Sequence, residues 1–136
     1  MIAVTTELKA QFYDLDPMNI VWHGNYARFL EQARCELLDH IGFNYVQMAA
    51  TDYAWPIVDM RTKYVRPIRF GQRILVTATL VEWENRLRID YRIADAATGA
   101  VLTKAQTTQM AVHAQTGETA FESPAPLLEA VRRAGG

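Results

Sequence analysis

The strongest constraint on the fold is a change of hydrophobic period partway along the chain. Between about Asn25 and Ile41, the apolar residues Tyr26, Phe29, Leu30, Ala33, Leu37 and Ile41 recur at the spacing of one helical face. Arg28, Glu31, Gln32, Glu36 and Asp39 occupy the other face, Cys35 and Leu38 widen the stripe, and Gly42 can end the helix. From Ile57 the period falls to two. Val58, Met60, Thr62 and Tyr64 alternate with Asp59, Arg61 and Lys63, the pattern of a half-buried strand, and Pro67 suggests an edge or a bulge.

Two further strands are predicted over 74–81 and 87–93, joined through Glu84-Asn85-Arg86, and a hairpin at Asp95–Gly99 leads into a strand over 101–113. The first of these is apolar on both faces, as a central strand would be. Residues 4–13 form an opening strand that ends at the turn-like cluster Asp14–Asn19. Residues 43–56 carry no clear pattern, and Leu127–Ala134 fits a short helix that frays at Gly135-Gly136. The order is therefore strand, long helix, four strands, short helix. Strands segregated from one long helix imply an α+β two-layer design, with the helix lying across one face of an antiparallel sheet. At 136 residues there is room for one domain, 1–136, and no linker or repeat divides it.

Fourteen basic against fifteen acidic residues give a formal charge of −1, so the overall field offers no case for nucleic-acid binding. The lone Cys35 cannot form an intramolecular disulfide, and MIAVTTELKA lacks the basic and apolar regions of a signal peptide. No apolar run approaches the roughly 20 residues needed to span a bilayer. A cytoplasmic protein is expected.

Several chemistries fall away on residue types alone. Ser123 is the only serine and lies in a Pro-flanked tail, so a G-x-S-x-G nucleophile elbow is absent. His23, His40 and His113 have no metal-ligand spacing, and no glycine-rich phosphate loop occurs. Cys35, mid-helix among apolar neighbours, reads as packing. What remains is Phe12–Asn25, FYDLDPMNIVWHGN, between the first strand and the helix. Unpaired N–H groups at a helix entrance can hold an oxyanion, and a carboxylate nearby can attack a carbonyl or activate water. This is an acyl-transfer site in outline. Simpler roles exist for each residue: Asp14 and Asp16 as turn formers, Asn25 as a cap, Glu31 paired with Arg28 or Arg34, Trp22 in the core, and Tyr64 and Tyr91 in cross-strand packing.

The run Asp14-Leu15-Asp16-Pro17-Met18-Asn19-Ile20-Val21-Trp22-His23-Gly24-Asn25-Tyr26, followed by Phe29-Leu30-Glu31-Gln32-Ala33-Arg34, resembles the signature of hotdog-fold acyl-CoA thioesterases of the 4-hydroxybenzoyl-CoA (4HBT) type, including the YbgC-like branch. The similarity runs to about residue 113. It implies a five-stranded antiparallel sheet wrapped around one long helix, and hydrolysis of an acyl-CoA to free acid and CoA with no metal or redox cofactor. By the same resemblance, Asp16 is the nucleophile or general base, and the His23 N–H polarises the thioester carbonyl. Tyr26 and Glu31 line the substrate site. Of the basic cluster that follows a tryptophan in the hydroxybenzoyl enzymes, only Arg86, after Trp83, is matched.

The resemblance also implies a homo-oligomer, a dimer or homotetramer built by edge-to-edge sheet pairing, with sites at the subunit interface. Arg61, Lys63, Arg66 and Arg86 would then meet the nucleotide phosphates, or else form a solvated strand face. Three other functions share the fold: hydrolysis of acyl groups on carrier protein, a hotdog hydratase, and a non-catalytic acyl-CoA binding module.

Overall fold

The computed structural model describes residues 1–136. Its main sheet has five antiparallel strands: β1 (Ala3–Lys9), β3 (Ile57–Tyr64), β4 (Arg73–Glu82), β5 (Leu87–Asp95) and β6 (Val101–Gln109), in the spatial order β1-β4-β5-β6-β3. Helix α1 (Tyr26–His40) lies on one face, and the other helices are α2 (Tyr45–Ala49) and α3 (Ala125–Arg133). A second, two-stranded sheet pairs β2 (Tyr53–Ala54) with β7 (Val112–His113). No helix is long and apolar enough to cross a membrane.

The two periods seen in the sequence meet in one core. Phe29, Leu30, Ala33 and Leu37 of α1 are buried, as are Ile74, Val76, Ala78 and Leu80 of β4 and Leu87, Ile89, Tyr91 and Ile93 of β5. Alternation along each strand puts every second side chain under the helix and its neighbours on the outer face. Helix α1 packs chiefly on β1 and β4. The β3 edge of the sheet is therefore poorly covered: Ile57, Val58, Met60 and Tyr64 are all 40–52% exposed.

Three expectations change at element ends. The first strand stops at Lys9 rather than running to residue 13, because Phe12–Asp14 turns into a 3-10 helix. The Asp14 carboxylate draws that turn closed by accepting the Gln11 N–H at 2.8 Å. The strand expected over 101–113 breaks after Gln109, and its last two residues leave the main sheet to pair with β2. The unpatterned stretch 43–56 holds α2, closed by a reciprocal cap in which Asn44 Oδ1 accepts the Tyr45 N–H and Gln47 Oε1 accepts the Asn44 N–H, each at 2.8 Å. The C-terminal helix forms as expected, opening two residues earlier behind Pro124.

Candidate active site

Residues 14–22 double back as a short hairpin-like loop between β1 and α1. Asp16 N–H donates to the Ile20 carbonyl at 2.9 Å, Trp22 N–H to the Asp14 carbonyl at 2.9 Å, and Leu15 bridges Val21. Asn19 closes the bend with a φ of 63°, a left-handed conformation that asparagine tolerates better than most residues. The Asp16 carboxylate is half-buried and accepts the Met18 N–H at 2.8 Å. That bond fixes one oxygen and leaves the other free of protein donors.

The loop delivers the chain to the helix entrance. His23–Asn25 form a 3-10 turn that runs directly into α1. The N–H groups of His23 and Gly24 have no preceding helical carbonyl to bond, and they stand at the positive end of the helix dipole. Gly24 leaves room for the Trp22 ring to lie against the backbone. A side chain at this position would collide with the Trp22 ring, which lies across it. Trp22, expected in the core, is accordingly 48% exposed, and its ring also stacks obliquely on the His23 imidazole.

Asp14 holds the loop to the helix. It is 1% exposed, forms an ion pair with Arg28 on the first turn of α1, and its carbonyl accepts the Asn25 side-chain N–H at 2.8 Å. A role beyond turn formation was not legible at Asp14, because its main partner lies fourteen residues away. Asn25, read as a cap, makes no capping bond. Tyr64 closes the opposite side. Its hydroxyl donates to the His23 carbonyl at 3.3 Å, and its ring meets Tyr26 edge-on at 4.7 Å.

Asp16, His23 and Tyr26 thus share one end of the sheet. Tyr26 is 3% exposed, so its ring forms a wall of this region, and burial pushes its phenol above the ordinary range, with Tyr64 and Asp16 adding to the effect. Glu31 lies further along α1, exposed and 3.7 Å from Arg34. It rims a cavity of about 570 Å³ between α1, α2 and the β2–β3 segment, ten of whose fifteen lining residues are hydrophobic. Leu38, Met48 and Trp55 form its walls, and Gln109, 6% exposed, lines it with an Oε1 that no protein donor reaches.

Arg86 is elsewhere. It sits in the β4–β5 turn, bonded to Glu82 at 2.8 Å. The neighbouring Leu87 pairs with Gln109, which pairs with Ile57, whereas Tyr64 pairs with Thr103. Six residues of β6 separate those registers, roughly 20 Å at strand rise. Within one chain, then, the helix entrance lies at one end of the sheet, while Arg86 and much of the apolar cavity lie towards the other. No cluster of three or more potential metal-binding side chains occurs.

Comparisons with known proteins agree with this architecture. The crystal structure of Slr0204, a 1,4-dihydroxy-2-naphthoyl-CoA thioesterase from Synechocystis, superposes with a TM-score of 0.86 at 23% identity, over 96% of each chain. The Escherichia coli acyl-CoA thioester hydrolase YbgC is 27% identical over 94 residues, covering 59% of this chain and 70% of that one. The Arabidopsis thaliana chloroplastic acyl-acyl carrier protein thioesterase ATL3 is 32% identical over 74 residues, covering 54% of this chain and 39% of its own. The chain spans about half the length of several curated relatives it matches, 52% and 57% in two of them. The match to the thioesterase-like superfamily extends over residues 10–134, nearly the whole chain, and the protein belongs to that family, with its hotdog fold.

Proposed function

We propose that the protein is an acyl-CoA thioesterase in which Asp16 acts on the thioester carbonyl at the N-terminal end of α1. The observation that carries this reading is the loop–helix junction. A half-buried carboxylate with one oxygen free of protein donors shares a sheet end with two helix-opening N–H groups that lack helical acceptors. In the reaction, Asp16 attacks the carbonyl carbon directly or takes a proton from a water that does so. Negative charge then develops on the carbonyl oxygen, where the His23 N–H and the helix dipole stabilise it. The C–S bond breaks and the CoA thiolate leaves. In the general-base route it takes the proton that Asp16 drew from water and the acid is freed directly. After direct attack it is protonated by solvent, and a water then cleaves the acyl–Asp16 anhydride, freeing the acid and restoring the carboxylate. The apolar cavity rimmed by Glu31 takes the acyl group.

A two-fold homodimer pairing through β3 accounts for the separation within one chain. Antiparallel pairing of β3 with its copy sets the Tyr64 end of one subunit beside the Ile57 end of the other. The helix entrance of one chain then adjoins the cavity and the Arg86 end of its partner. The uncovered apolar residues of β3 support the same pairing, since an edge strand of this kind otherwise invites uncontrolled association. Further pairing of dimers would give the tetramer.

Asp16→Asn tests the proposal. With a panel of short, medium, long and aromatic acyl-CoAs, the native protein releases free thiol. The variant, with unchanged circular dichroism, turns over on the order of 10²-fold more slowly. Equal turnover in a folded variant refutes the role of Asp16. Saturable acyl-CoA binding with no thiol release from any member identifies a binding module instead.

A further inference from the structure

The outer face of the sheet, opposite α1, carries a feature that the acyl-transfer site does not use. In register across three adjacent strands, Arg92 of β5 stands directly opposite Lys104 of β6, and Lys104 directly opposite Lys63 of β3. Neighbouring strands are about 4.8 Å apart, so three cations stand side by side. One row along, Arg61 of β3 faces Gln106 of β6. Arg61 pairs with Asp59 at 3.3 Å, whereas Lys63, Arg92 and Lys104 have no carboxylate within ion-pair distance. Like charges placed directly opposite destabilise a sheet, and nothing in this chain compensates the central row.

These side chains surround a shallow, open depression of about 570 Å³, with Thr77, Thr79 and Gln106 among the residues lining it and Asp90 as its only carboxylate. Asp90 is already engaged, accepting from Gln106 at 3.2 Å and lying 3.9 Å from Arg88. In a protein of net charge −1, this is a local concentration of positive charge rather than an overall bias.

We propose that this depression is a second binding site, for a multiply charged phosphate ligand of nucleotide size, held by Lys63, Arg92 and Lys104. Multidentate, charge-assisted hydrogen bonds from Arg and Lys are the usual means of recognising phosphate, and hydroxyl and carboxamide groups beside them can complete the shell. The ligand has two sources of the same chemistry: the phosphorylated ADP end of CoA, or a free nucleotide or pyrophosphate. The first source rests on the acyl-CoA reading; the site itself does not.

Titration calorimetry with inorganic pyrophosphate and with adenosine 3′,5′-bisphosphate, at two salt concentrations and without any thioester, tests the site. Saturable binding that weakens with salt is expected, and Lys104→Glu and Arg92→Glu each weaken it roughly tenfold or more. Arg133→Glu, an exposed control on α3, leaves it unchanged. Lys104→Glu should also raise Tm by roughly 1–3 °C, because it relieves the cross-strand repulsion.

The sources separate in the activity assay. If CoA is the ligand, Lys104→Glu raises KM for acyl-CoA with little effect on kcat, and leaves hydrolysis of an acyl N-acetylcysteamine thioester unchanged. If the ligand is free, both substrates behave as with the native protein while pyrophosphate binding is lost. Absence of saturable binding by the native protein overturns the proposal, as does binding indifferent to both charge reversals. Binding of an acidic carrier protein but of neither phosphate probe also overturns it.

Discussion

Removing the Asp14 carboxylate tests whether the loop carrying Asp16 is held in place by the first turn of α1. Asp14 is 1% exposed and its carboxylate has two partners, the Arg28 guanidinium and the Gln11 N–H. Hydrogen bonds to charged groups contribute about 1.5–3 kcal/mol each. The Arg28 side chain is 54% exposed and can be rehydrated when its partner is lost, so that bond counts for about 1 kcal/mol. The Gln11 N–H, in a partly buried turn, loses its only acceptor, which adds about 1–2 kcal/mol. Asp14→Ala should therefore destabilise the protein by about 2–3 kcal/mol. For a chain of this length the unfolding entropy is roughly 0.3 kcal/mol/K, which converts the loss to a fall in Tm of about 7–10 °C. Thermal melts followed by circular dichroism measure it, with Arg28→Ala and the double variant completing a cycle. A fall below about 2 °C, or strict additivity of the two substitutions, refutes the view that this pair clamps the loop.

Two further outcomes follow from the same structure. Hydrogen bonds from Gln72, Thr98 and Ala97 hold the Asp95 carboxyl below the usual carboxylate range at the head of the β5–β6 turn. A lowered folded value means that this contribution is present above the ordinary Asp range and is lost as pH falls through the folded value. Between pH 5 and pH 3, Tm of the native protein should therefore fall more steeply than that of Asp95→Asn, and equal slopes would contradict it. Met60→Lys, on the uncovered inner side of β3, should shift the protein towards monomer in analytical ultracentrifugation; an unchanged association state would rule out pairing through that edge.

The layer arrangement was legible because it depends on periods, and periods are local. Apolar residues at helical spacing from Tyr26 to Ile41 could be buried only against another layer, and alternation from Ile57 onward supplied that layer. Boundaries were less legible where a side chain from elsewhere decided them. The opening strand ends at Lys9 because Asp14 folds back on Gln11, and the stripe of residues 101–113 is cut because β7 finds a partner in β2. Neither event changes the local pattern of hydrophobicity. Trp22 illustrates the same point for packing. Its composition argued for the core, but Gly24 two residues later offers it a surface to lie on, and it stays half-exposed.

The site was legible only in part for a related reason. Asp16, His23 and Tyr26 lie within eleven residues, so a motif could gather them. The cavity was hidden because Leu38, Met48 and Gln109 come from three separate elements and Trp55 from the β2–β3 connection, and they meet only once α2 and β2 fold over the end of α1. Arg86 was drawn to the site by its position after Trp83, yet sheet register sets it at the opposite end of its own chain. The basic row on the outer face was legible only at Lys63, which the resemblance placed among residues meeting nucleotide phosphates. Arg92 and Lys104 are ordinary outward-facing strand residues, and only the pairing of β3 with β6 and of β6 with β5 makes the three neighbours. Sequence spacing thus reveals chemistry assembled within one loop or helix turn. Chemistry assembled across strands depends on register, and register depends on the whole sheet.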